Sequence, residues 1–301
     1  MKRIIIIILA GLLAVSLLAG CQTKTGGSAT EPEMTSGTPP ESQSGTEQGE
    51  PSENPAESAP PKFAKPEDFL AQKDIRLAVQ AGTVGDWIAQ DFVGADHVDQ
   101  YAHYVDAITA LMQDKVQGAI MDYGPALKIV KDKPELVIME DALTEENYAF
   151  GIKKGNSDLL EAVNASLKKL SKEGKLQAIF DKYINEEEGA GDDIDFNKGA
   201  AGGQLIMGTE SGFAPYELKK GDKIIGIDVE IMAEVAKSLD KELVIEDMNF
   251  DSLIAAVQSG KIDIIAAGLT VTDDRKKEID FSDDYVIGAK QVLVVKAADL
   301  K

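Results

Sequence analysis

Residues 106–116 and 251–262 are built alike, and that likeness constrains the fold more than any other feature of the chain. The first reads Asp106-Ala107-Ile108-Thr109-Ala110-Leu111-Met112-Gln113-Asp114-Lys115-Val116. The second reads Asp251-Ser252-Leu253-Ile254-Ala255-Ala256-Val257-Gln258-Ser259-Gly260-Lys261-Ile262. Each spells a short helix, a turn with a lysine, and the start of an apolar strand. Neither unit can bury its apolar face alone, so each needs a sheet beside it. Strand-like runs at 75–79, 116–121 and 136–139 alternate with helical spacing at 84–93, 107–112 and 125–130. The second half repeats the theme, with strands at 205–207, 243–245 and 262–266. There Asp228 is placed to cap a helix burying Ile231, Met232, Val235 and Leu239, and Asp251 to cap 253–257, which Gly260 stops. Between the halves a helix over 158–170 breaks at Gly174 before 176–183. The alternation predicts the α/β class, with mostly parallel sheets and two lobes of similar build.

Only residues from about 63 onward carry this pattern. Met1-Lys2-Arg3 opens the chain, and an apolar run from Ile4 to Gly20 follows, broken only by Ser16. That is the layout of a secretory signal peptide over residues 1–20. The run closes on Leu18-Ala19-Gly20-Cys21, which resembles the bacterial lipobox and implies a lipid on Cys21, the sole cysteine. An uncleaved anchor is the alternative, although the run is near the lower length limit for a spanning helix. Either reading puts the rest of the chain outside the cytoplasm. Residues 21–65 read as a Pro/Glu/Ser/Gly-rich tether: between Gln22 and Pro61 lie seven of the eleven prolines, seven glutamates and no aromatic residue. Such a segment buries too little surface to offset its ordering entropy, and about 40 flexible residues span roughly 35 Å.

Charge and composition exclude several function classes. Thirty-one basic against 52 acidic side chains, a net charge of −21, make a poor nucleic-acid binder. One cysteine allows no internal disulfide framework and two histidines leave little for metal or triad chemistry. There is no Walker A sequence, dinucleotide fingerprint, zinc-protease motif or nucleophile elbow, so no cofactor and no catalytic residue is expected. Asp96, His97, Asp99 and His103 could suggest a metal, but scattered acids and histidines in an acidic chain read better as solvated surface.

The stretch Gly208-Thr209-Glu210-Ser211-Gly212-Phe213-Ala214-Pro215-Tyr216-Glu217 resembles the opening signature of the amino-acid-binding proteins of ABC importers, solute-binding protein family 3. So do Gly226-Ile227-Asp228-Val229-Glu230-Ile231 and the diagnostic run Ala267-Gly268-Leu269-Thr270-Val271-Thr272-Asp273-Asp274-Arg275 through Ser282. Val79-Gln80-Ala81-Gly82-Thr83, Met121-Asp122 and Tyr148-Ala149-Phe150-Gly151-Ile152-Lys153-Lys154 resemble the family's second half. Nearly all of 73–301 is covered. The resemblance implies a periplasmic-binding-protein fold, two α/β lobes joined by a two-strand hinge near 148–153 and 291–296. It also implies lobe II over 66–147 with 297–301, and the hinge strands and lobe I over 148–296. The halves stand in the reverse of the family's order. That suggests a circular permutation, with 186–203 as an exposed linker joining the old termini, which often lie close together. A fragment of a tandem array is the rival account.

The resemblance also implies a ligand-binding set, residue by residue. Arg275 matches the carboxylate clamp, a guanidinium fork for two oxygens; a surface ion pair with Asp273 or Asp274 is its alternative. Gly82 and Thr83 match backbone donors to the same carboxylate at a helix start, though Val84 lacks the hydroxyl many relatives carry next. Thr270 matches another carboxylate donor, and Gly268 a carbonyl facing the ammonium. Asp122 matches the ammonium's counter-ion, with helix capping as its alternative. Phe213 and Phe250 match the aromatic walls, or are simply core. Glu210 matches the position reading the end of the side chain and would favour arginine, unless it pairs with a nearby lysine. Trp87 reads as packing. The implied protein is a monomeric, lipid-anchored receptor, not an enzyme, that delivers an amino acid to a membrane permease by two-lobe closure. A periplasmic dehydratase-like enzyme on the same fold, or a ligand-sensing receptor, is the alternative.

Overall fold

A computed structural model describes residues 62–300. The expected signal peptide, the lipidation site Cys21 and the tether up to residue 61 lie outside the described residues. In chain order the first elements are α1 (Pro66–Leu70), β1 (Leu77–Gln80), α2 (Val84–Val93), β2 (Val98–Tyr101), α3 (Tyr104–Met112), β3 (Gly118–Asp122), α4 (Tyr123–Val130) and β4 (Leu136–Tyr148). Then come β5 (Gly151–Lys153), α5 (Ser157–Lys172), α6 (Lys175–Ile184), β6 (Gln204–Thr209), β7 (Gly212–Phe213), β8 (Glu217–Lys220) and β9 (Lys223–Ile225). The last are α7 (Ile227–Ser238), β10 (Glu242–Asp247), α8 (Leu253–Ser259), β11 (Ile264–Ile265), α9 (Asp273–Glu278), β12 (Ile279–Phe281) and β13 (Val286–Lys296). Among the described residues no helix is long and apolar enough to cross a membrane.

Two five-stranded sheets result, in the orders β2-β1-β3-β13-β4 and β10-β6-β11-β5-β12, with a small third sheet β7-β8-β9. The sheets are mixed rather than mostly parallel. In the first, β1 runs parallel to β2 and β3, while β13 is antiparallel to β3 and β4. In the second, β6 runs parallel to β10 and β11, while β5 is antiparallel to β11 and β12. The antiparallel strands are those that lead into and out of the crossings between sheets, which alternation of helix and strand cannot reveal. The two look-alike segments hold equivalent places: α3 leads into β3 of the first sheet and α8 into β11 of the second.

The chain passes between the sheets twice, through Ala149-Phe150 and through residues 282–285. The two passages are bonded to each other, Phe150 N–H to the Ser282 hydroxyl at 2.9 Å and Tyr285 N–H to the Tyr148 carbonyl at 3.0 Å. The rings of Phe150 and Tyr285 stack at 4.3 Å. The second crossing thus lies before β13, not at the expected 291–296, where Gln291 to Val295 pair with β3 inside the first sheet. β13 therefore belongs with the lobe of residues 66–147, against the expected boundary at 296.

Two expected caps are not caps. α7 starts at Ile227 after Gly226, and Asp228 is fully buried, accepting the Gly268 N–H at 3.0 Å and the Tyr285 hydroxyl at 2.8 Å. α8 follows a 3₁₀ turn over Phe250–Ser252, and Asp251 is exposed. Gly226 is required there: at φ +141°, a Cβ would lie 2.0 Å from the Tyr216 carbonyl oxygen. The segment 186–203 is anchored rather than loose. Ala190, Ile194 and Phe196 pack on the core, and the Phe196 carbonyl accepts from Leu243 N–H at 2.9 Å. The end of the expected tether is also docked, since Lys62 N–H donates to the Leu300 carbonyl at 2.7 Å and Phe63 packs against Phe69.

Candidate functional site

Strand ends of both sheets converge on a cleft beside the crossing strands, the place where α/β sheets gather ligands. β3 delivers Asp122 and β1 delivers Gln80 from the first sheet; the loop after β11 delivers Gly268 and Thr270, and α9 delivers Arg275, from the second. Thr83, Phe213 and Phe250 complete the expected lining, joined by Val84, Tyr104 and Gln291. The enclosed space is about 10 Å³, room for roughly one water. A cavity of about 420 Å³ opens at its mouth, shares Phe250 and Arg275 with it, and takes in Gly82 and Trp87. The chemistry belongs to the smaller cleft, where both opposite charges sit.

Arg275 is 4% exposed. Thr272 caps α9 by accepting the Arg275 N–H at 3.2 Å, which aims the side chain inward. Its guanidinium donates to the Thr270 carbonyl at 2.8 Å and, from the other sheet, to the Gly82 carbonyl at 3.0 Å. It lies between the rings of Trp87 and Phe250, at 5.1 and 5.4 Å from their centroids. Among the described residues no carboxylate binds it directly, so the surface pair with Asp273 or Asp274 is not what is seen. Burial lowers its pKa to about 10 against the opposing pull of Glu146 and Asp122, so it stays charged at neutral pH.

Asp122 precedes α4 but makes no capping bond. Its oxygens accept the Tyr104 hydroxyl at 2.7 Å and the Tyr148 hydroxyl. Burial, then the nearby Glu146 charge, raises its pKa to about 6, with the bonds from Tyr104, Tyr148 and Gln291 opposing. A positive group arriving there would relieve that strain. Phe213 is buried against Tyr104, Tyr148 and Tyr216. Gly268 makes room for it, because at φ +53° a Cβ would come within 2.3 Å of the Phe213 ring.

Several expected donors are already engaged. The Gly82 N–H donates to Asp86 at 3.0 Å, and the Thr83 hydroxyl donates to the Gln80 carbonyl at 2.8 Å. The Thr270 hydroxyl donates to Glu146 at 2.7 Å. Gly82 and Glu210 do not line the smaller cleft. Glu210 is buried but accepts from Gln80, Gly212 and His103 rather than from a lysine. Sequence reasoning missed Gln80, Tyr104, Glu146 and Gln291, and took Trp87 for packing. For Gln80 the strand-end position was the available signal; nothing in the sequence marked Glu146, which lies near the end of the long strand β4 beside another glutamate. Of the residues weighed for a metal, Asp99 pairs with Arg76, and among the described residues no group of three or more His, Cys, Asp or Glu could hold an ion.

The family described as bacterial extracellular solute-binding proteins, family 3, matches residues 205–300. That segment holds Glu210, Phe213, Phe250, Gly268, Thr270 and Arg275; Gly82, Thr83 and Asp122 precede it. The chain is 39% identical to the arginine-binding extracellular protein ArtP of Bacillus subtilis over 107 residues, 35% of this chain and 42% of that one. It is 37% identical to a probable histidine-binding protein of Campylobacter jejuni, over 32% of this chain and 37% of that one. A solved structure described as the arginine-bound form of domain 1 from TmArgBP is 37% identical, covering 33% of this chain and 82% of that one. Its TM-score is 0.28, so the superposition carries no argument. The chain spans about two fifths of the length of the curated relatives it matches. Residues 205–300, about a third of the chain, are those that match the bacterial extracellular solute-binding proteins, family 3.

Proposed function

We propose that this chain is an extracytoplasmic amino-acid-binding protein, tethered by a lipid on Cys21, that delivers a polar or cationic amino acid to an ABC importer. The observation that carries this is the pairing of buried Arg275 and buried Asp122 across one aromatic-walled cleft. An α-amino acid offers a carboxylate to the first and an ammonium to the second. Asp122 and Glu146 are both buried near a single guanidinium, an excess of negative charge that favours a cationic side chain and disfavours an acidic one. The arginine- and histidine-binding proteins it resembles support the same class. The small cleft makes entry depend on the lobes parting, with closure driven by ligand contacts made in the closed form. Asp122 wears two phenol hydroxyls, which suits a counter-ion better than a general base, and this favours binding over catalysis.

A thermal-shift screen of the twenty amino acids tests the reading. Arginine at a hundred times its Kd adds about 2.7 kcal/mol, raising the midpoint by roughly 5–10 °C for a domain of this size. Glutamate and aspartate should add nothing. The arginine shift should shrink as pH falls through about 6, because a protonated Asp122 must release its proton before an ammonium docks. A uniform absence of shifts overturns the function, and Cys21→Ala staying in the membrane fraction overturns the anchor.

The same reading takes the halves to be circularly permuted, with 186–203 bridging the old termini. It is supported by residues 297–300 lying against Lys62 and Glu135 in the first lobe. α1 buries Phe69 and Leu70, so a chain restored to the family order must keep it. Opening the chain within 186–203 while joining 300 to 62 should preserve the fold and arginine binding. An unfolded product would favour the tandem-fragment account.

A further inference from the structure

We propose that Glu210, Gln80 and His103 form a latch between the lobes that sets how readily the cleft closes for any ligand, rather than a reader of the ligand's side chain. Glu210 follows β6 in the second sheet, whereas Gln80 ends β1 and His103 precedes α3 beside the first. Glu210 is 1% exposed, and both its oxygens are turned to donors of this chain. One accepts the Gly212 N–H at 2.9 Å and meets His103 Nδ1 at 2.7 Å; the other accepts the Gln80 amide at 2.9 Å. A carboxylate only accepts, so the proton of this contact resides on Nδ1.

The partners are held as firmly as the acid. The Gln80 amide also donates to the Ala102 carbonyl at 2.9 Å, so both of its hydrogens are used. At residue 212 a Cβ would stand 2.8 Å from the Glu210 oxygen, and glycine lets the carboxylate keep its place. Glu210 and His103 are absent from the lining of the smaller cleft. Of the other bonds between the lobes, Arg275 to the Gly82 carbonyl and Thr270 to Glu146 use groups of the cleft, while Lys128 of α4 and Lys131 just after it pair with the exposed Glu186 after α6. Gln80 lines the cleft, but the His103–Glu210 bond uses no group of it, so that bond can favour closure without touching what is bound. Hydrogen bonds to a charged group are stronger than neutral ones, and a ligand's apparent affinity scales with the closed fraction.

The inference rests on the two-lobe binding reading, and its test separates the two. His103 is partly exposed, so His103→Ala should leave the fold intact. Spin labels at Asp91→Cys on α2 and Ala178→Cys on α6, both exposed, report lobe separation in the full chain carrying Cys21→Ser. His103→Ala should lengthen or broaden that distance without ligand and lower arginine and glutamine affinity by a common factor of about tenfold. His103→Asn, which can return an N–H near Nδ1, should restore both readings. A loss confined to arginine would make Glu210 a side-chain reader and overturn the latch, as would an unchanged distance. If the parent chain binds neither amino acid, the binding function fails, while the ligand-free distance still decides the latch.

Discussion

Arg275→Ala should abolish measurable amino-acid binding while the protein stays folded. The guanidinium stands between Trp87 and Phe250 with N–H groups left over after its bonds to Thr270 and Gly82. Those are the groups that would meet a carboxylate. Removing them strips two charge-assisted bonds and also leaves Asp122 and Glu146 without their neighbouring cation, so the cleft repels the carboxylate it once held. Losing one partner of a buried charge pair costs about 2–5 kcal/mol, a loss of roughly thirtyfold to several thousandfold in Kd. Two backbone carbonyls also lose a donor, a smaller cost of about 1–3 kcal/mol in stability. Thr272 still caps α9, so the local helix survives. Calorimetric titration with arginine, beside a thermal melt, separates the effects. Unchanged affinity in a folded variant would remove Arg275 from the site.

The second large effect is on stability and comes from acids that no ligand explains. Glu217 and Asp228 are fully buried, and among the described residues neither oxygen of Glu217 has a hydrogen-bond partner, nor has one oxygen of Asp228. Burial, followed by the neighbouring Asp228, pushes the Glu217 carboxyl well above its ordinary range. Burial raises Asp228 from 3.8 to about 7, although its bonds from Gly268 and Tyr285 oppose the rise. In both cases the native state keeps a proton that the unfolded chain has already released. Stability is therefore intact below the unfolded pKa and drains away as pH climbs toward the folded value. For Asp228 the rise from 3.8 to about 7 is worth on the order of 4 kcal/mol. Asp228→Asn, which mimics the neutral acid and still accepts from Gly268 and Tyr285, should gain on the parent by about that amount between pH 4 and pH 8. Glu217→Gln should shift in the same direction. Urea denaturation across that range checks both, and parallel pH profiles for parent and variants would show the acids ionised in the native state.

Much of this site was legible before any coordinates. The 267–282 run pointed to Arg275, Thr270 and Gly268, and the resemblance at Met121-Asp122 pointed to Asp122; all four line one cleft. Asp228 and Asp251 misled, because acids before apolar helices ordinarily cap them. Asp228 instead sits in the interior, tying Gly268 and Tyr285 together. Glu210 misled differently. Its place in the motif suggested a reader of the ligand's side chain or a partner for a lysine, and two of its three donors come from residues more than a hundred positions away.

Helix and strand order, the likeness of 106–116 to 251–262, and the family of residues 205–300 are properties of neighbouring residues. Periodicity, turn chemistry and motif spacing act over a few positions, so the chain alone determined them. The tertiary structure decided which strands run antiparallel, where the chain crosses between sheets, and what each buried polar group bonds. Those outcomes depend on contacts between distant segments competing for the same donors and the same space. Gln80 meeting Glu210 across 130 residues is one such outcome. Local pattern carries no record of it, because a buried carboxylate takes whichever donors the packed lobes bring within reach.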